Sequence, residues 1–102
     1  MRNTKQARYD WESFSFGSEE DDYKKQYHHL TQVQAVLLRA VASEGKVKQP
    51  TSGEFVKKYH LRSASSVQRA LATLVEDEYL YPTDEGYIVY DRFMAIWLRT
   101  LD

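Results

Sequence analysis

From Ser63 onward, Val67, Ala70, Leu71, Leu74 and Val75 recur at steps of three and four residues, the period that gathers side chains on one face of an α-helix. A helix this short draws most of its stability from the surface it packs against. The rest of the chain must therefore supply matching apolar faces. Ser63 stands where a side-chain oxygen can accept from the first unpaired amides, so it is the expected N-cap. Upstream, Val33, Val36, Leu37, Ala40 and Val41 trace a second stripe. It predicts a helix from Leu30 to Ala42 with Thr31 as N-cap and Gly45 as stop. Between the two, the turn residues Gln49, Pro50 and Thr51 precede a short helix from about Gly53 to Tyr59. Ser52 caps it, Phe55, Val56 and Tyr59 point inward, and Lys57 and Lys58 face water.

After the helix that Ser63 caps, the third in chain order, the pattern changes. Tyr79, Leu80 and Tyr81 face Tyr87, Ile88, Val89 and Tyr90 across Pro82 to Gly86, the β-branched and aromatic content of a hairpin with a Gly-containing loop. Asp91 can cap a last helix, Arg92 to Leu101, whose Phe93, Met94, Ile96, Trp97, Leu98 and Leu101 cover more than one face. Such a helix needs partners on two sides. The order helix, helix, helix, hairpin, helix makes a mostly α fold with one small hairpin (α+β), that of a winged helix-turn-helix. Val36, Leu37, Val41, Phe55, Val67, Leu71 and Leu74 are expected to share its core. The fold is assigned to residues 30–102.

Residues 1–29 form a separate aromatic and acidic segment, a lead-in or the remnant of an upstream domain. Trp11, Phe14 and Phe16 lie in it beside the acidic run Glu19 to Asp22. Tyr23, Tyr27 and Leu30 fall at helical spacing, so the lead-in is itself expected to be helical. Trp11, Phe14 and Phe16 are the expected cover for the last helix, with self-association as the alternative. A chain of 102 residues accommodates one modest core. No apolar run approaches the ~20 residues that span a bilayer. The absence of cysteine and of a basic-then-apolar leader points to the cytoplasm.

Catalytic and cofactor chemistry find no support in the residues. A phosphate-cradling loop needs Gly-x-x-x-x-Gly-Lys-Ser/Thr, yet the one Gly-Lys pair, Gly45-Lys46, follows Ala40 and precedes Val47. His28, His29 and His60 lack the spacing of a metal site, and the acidic run lacks that of a calcium loop. Ser65 and Ser66 have no nucleophile elbow around them. Neither enzyme activity, metal nor cofactor is expected.

Charge is more informative. The net charge of -1 conceals a middle segment, residues 30–75, with seven basic and two acidic side chains, followed by residues 76–102 with two basic and seven acidic. The basic segment carries the third helix, whose apolar stripe leaves Ser65, Ser66, Gln68, Arg69 and Thr73 facing outward. These side chains can bond to phosphates or base edges, and Lys57, Lys58 and Arg62 extend the basic surface. The helix N-terminus favours an anion, while Glu76, Asp77 and Glu78 lie at its far end. Against this, Asp84 and Glu85 at the hairpin tip repel phosphate.

Four stretches carry a family resemblance: Leu30-Thr31-Gln32-Val33-Gln34, Pro50-Thr51-Ser52, Ser63 to Leu71, and Tyr87 to Phe93 with Trp97-Leu98-Arg99. Across Leu30 to Leu101 the chain resembles the C-terminal winged-helix domain of prokaryotic AAA+/STAND-type ATPases. The resemblance implies an accessory domain that follows a nucleotide-binding domain, which these residues do not include. The resulting expectation is a non-catalytic module contacting duplex DNA weakly through the third helix. The alternative is a docking or oligomerisation module that meets an ATPase domain or a second copy through Phe93, Trp97 and Leu101.

Overall fold

The computed structural model describes residues 16–101, with side chains from Glu20 onward. The order is α1 Phe16–His28, α2 Gln32–Glu44, α3 Gly53–Lys58, α4 Ala64–Glu76, β1 Leu80–Thr83, β2 Gly86–Val89 and α5 Arg92–Arg99. It is a small α+β winged-helix arrangement, and the helix expected after Ser63 is α4. No helix among the described residues is long and apolar enough to cross a membrane.

Each expected cap does the work its side chain allows. Thr31 accepts from the Gln34 amide while the Gln34 side chain accepts from the Thr31 amide, a reciprocal capping box. Thr31 is extended, so α2 begins at Gln32 rather than Leu30. Ser52 and Ser63 accept from Phe55 and Ser66, and Asp91 accepts from Phe93 and Met94. α3 and α4 each close on a left-handed residue that is not glycine. Leu61 donates to the Val56 carbonyl and His60 to Lys57, and Tyr79 donates to Leu74 and Glu78 to Val75. Both sets are Schellman closures, with His60 (φ 57°) and Glu78 (φ 66°) in the left-handed region.

α2 is the centre of the molecule. It packs against α4, α5 and β2, and it buries Leu37, Leu38, Ala40, Val41 and Ala42, a wider arc than one stripe provides. Leu37, Val41, Val67 and Leu74 are fully buried, Phe55 and Leu71 nearly so, and Val36 is half-buried against the same core. The set expected to converge does so.

The hairpin is tighter than expected. Leu80 pairs with Val89 and Thr83 with Gly86, so Pro82 and Thr83 belong to the strand and the turn is Asp84-Glu85. A proline is tolerated because Tyr87, its partner, exchanges both backbone hydrogen bonds with Val47 on the other side. Pro82 therefore sits opposite a residue whose polar groups face away from it, on an edge strand where its missing N–H is not needed.

α5 is covered by α1. The rings of Tyr23 and Tyr27 lie 5.9 and 5.8 Å from that of Trp97, and the Tyr23 hydroxyl donates to Asp91 Oδ2 at 3.1 Å. The lead-in is thus helical, and Trp97 is buried by Tyr23 and Tyr27. Trp11 and Phe14, expected there, lie outside the described residues, as does the side chain of Phe16. The division expected at residues 29 and 30 falls in the turn between α1 and α2.

Candidate nucleic-acid interface

α4 turns Val67, Ala70, Leu71 and Leu74 into the core, which fixes its opposite side. Ser65, Arg69, Ala72 and Glu76, at steps of four, three and four, form the exposed ridge, and two grooves flank it. In the first, of about 460 Å³, Arg62, Ser66, Arg69 and Thr73 face the first turns of α2 across Val33, Val36 and Leu61. The Schellman closure at His60 creates this groove: it buries Leu61 and sends the chain into Ser63, leaving Arg62 exposed beside the start of α4. The second groove sets Gln68 beside Lys48, Gln49, Thr51 and Tyr87.

Apart from Ala72 the ridge is polar. At its start, the amides of Ala64 and Ser65 have no intrahelical partner, and the Ser63 hydroxyl already accepts from Ser66 at 3.1 Å. At its end stand Glu76, Asp77 and Glu78, all exposed. An anion is therefore favoured at the N-terminal half of α4 and disfavoured at the C-terminal half.

Not every candidate cation belongs to this surface. Lys58 Nζ donates to Glu44 Oε2 at 2.8 Å, and the Tyr59 hydroxyl donates to the same oxygen. The hydrogen bond from Lys58, followed by that from Tyr59, holds the Glu44 carboxyl below its ordinary range. The bond to Glu44 raises Lys58, and burial, then Glu44, raises the Tyr59 phenol. Lys58 lines a separate groove with Glu44, Lys46 and Glu54 and is committed to its carboxylate. Lys57 is exposed on α3 but borders neither groove beside α4. Among the described residues, ion pairs join Lys58 to Glu44 and Lys46 to Glu85; none holds Lys48, Arg62 or Arg69.

The interface residues expected on the last helix divide. Phe93 is 56% exposed, Trp97 is 2% exposed, and Leu101 is half-buried against the core. Trp97 is a core residue of this chain, so a partner would find Phe93 rather than Trp97. Sequence reasoning missed Lys48. Its signal was the alternation Lys46-Val47-Lys48, the pattern of a short extended segment, which bridges Val47 to Tyr87 and turns Lys48 towards Gln68.

The model of the family described as "Probable winged helix domain" matches residues 21–100. No curated protein matches the chain, and no solved structure does.

Proposed function

We propose that this chain, which belongs to the probable winged helix domain family, works by binding, and that what it binds is duplex DNA, engaged by α4. The observation that carries this reading is the groove in which Arg62 and Arg69, held by no ion pair among the described residues, flank Ser66 and Thr73 on the exposed side of that helix. A helix of this width enters a major groove. With the N-terminal half of α4 leading, Arg62 and Arg69 meet phosphate on one flank and Lys48 on the other, while Ser65 and Gln68 approach the base edges. Lys57 is a peripheral cation, and Lys58 takes no part.

Binding is weak, because acids stand at the back of α4 and at the hairpin tip. Glu85 pairs with Lys46 at 2.5 Å, so the wing has no unpaired cation at its tip among the described residues. Three phosphate contacts give a slope of log affinity against log salt of about -2.7. The likeness of Leu30 to Leu101 to the C-terminal domains of AAA+/STAND-type ATPases supports an accessory role, in which an ATPase domain supplies the remaining affinity. Fluorescence anisotropy with a labelled duplex across a salt series tests the proposal. A Kd on the order of 10⁻⁴ to 10⁻⁶ M that weakens with salt is expected. No binding at low salt would overturn it.

A further inference from the structure

A second surface lies where α5 meets α2 and β2. α2 packs against both α4 and α5, and α5 also meets β2. Among the described residues, the large apolar side chains left about half exposed are Tyr81, Tyr90, Phe93 and Ile96. Tyr81 and Tyr90 meet edge to face at 5.8 Å. Beside them, Ile88 of β2 and Ile96 of α5 line a groove flanked by Arg92 and Arg99. An apolar surface of this kind, rimmed by charge, marks a contact site.

We propose that the groove is occupied by the chain's own segment Tyr9-Asp10-Trp11-Glu12-Ser13-Phe14. Its aromatic side chains match the apolar floor, and Asp10 and Glu12 match Arg92 and Arg99. A second copy is a poorer fit, because a two-fold interface sets the same patch against itself and brings four arginines together. The segment is also within reach. It ends two residues before α1, and α1 lies along α5 with Tyr23 bonded to Asp91 at the start of that helix. Residues 9–14 lie two to seven positions before Phe16, a span of at most ~25 Å. A tether this short gives an effective concentration on the order of millimolar, enough to hold even a weakly binding segment in place.

The chain's two isoleucines, Ile88 and Ile96, both line the groove, so isoleucine methyl labelling of the full chain reports on this site alone. Nuclear Overhauser cross-peaks are expected from these methyls to the Trp11 indole and the Phe14 ring. They should vanish, with movement of both methyl resonances, in a Trp11→Ala, Phe14→Ala variant whose helical content is unchanged. Asp10→Arg with Glu12→Arg should weaken the same cross-peaks, and adding Arg92→Glu should restore part of them. The inference is overturned if the double alanine variant leaves both methyl resonances in place. It is equally overturned if the cross-peaks arise only between differently labelled copies, which would make the occupant a second chain.

Discussion

At the scale of single residues, backbone geometry decides several positions that side-chain chemistry does not announce. Gly86 has φ +131°, and a Cβ there would stand 2.7 Å from the Val47 carbonyl oxygen. Gly86→Ala should therefore destabilise the fold by ~1–3 kcal/mol, read as a lower denaturation midpoint, and should loosen the Val47–Tyr87 bridge beside Lys48. Glu78 holds a left-handed conformation that costs a residue with a Cβ about 1–2 kcal/mol. Glycine adopts it without that cost but loses more freedom on folding, so Glu78→Gly should gain up to ~1 kcal/mol, a rise of a few degrees in Tm. The caps at Thr31, Ser52, Ser63 and Asp91 were legible because their side chains carry the bond. His60 and Glu78 were not, since neither type marks a left-handed position. Glu44 contributes through charge: its carboxyl is depressed below the ordinary 4.5 by Lys58 and Tyr59. The unfolded chain binds that proton more readily, so the contribution is present above pH ~4.5 and is lost as pH falls through the depressed value. Acid titration of unfolding should show a shallower pH dependence below 4.5 in Glu44→Gln than in the unaltered chain.

At the scale of elements, the helical stripes could be read directly, whereas the partners of each stripe could not. Leu38 shows why. It falls off the stripe shared by Leu37 and Val41, yet it is fully buried because α2 packs against both α4 and α5. Leu38→Ala should cost ~2–5 kcal/mol, a large share of the ~5–15 kcal/mol available to a domain, measured by denaturant unfolding. The last helix displayed its need for two partners in its composition. That α1 meets it depends on Tyr23 and Tyr27, whose spacing was visible but whose target was not. Asp91 joins the two elements, capping α5 through Oδ1 and accepting from Tyr23 through Oδ2. The hairpin's length was misjudged at Pro82, because a proline ends a strand unless its edge faces away from the ladder, and that edge is set by Val47 far back in the chain.

At the scale of the whole molecule, the division of charge between residues 30–75 and 76–102 was legible, but its arrangement in space was not. Folding withdraws Lys46 and Lys58 into ion pairs with Glu85 and Glu44 and leaves Arg62, Arg69 and Lys48 around α4. On the proposed reading, engagement of DNA by α4 therefore depends on where these cations stand and not on net charge alone. Arg69→Met and Lys58→Met each remove one positive charge, the first beside α4 and the second from a pair with Glu44. The direct measurement is duplex anisotropy on the unaltered chain and both variants through one salt series. Arg69→Met should bind more weakly, with a salt slope shallower by about 0.9, while Lys58→Met should match the unaltered chain. Equal losses in the two variants, or no loss in Arg69→Met, would contradict the assignment of α4 as the DNA-binding element.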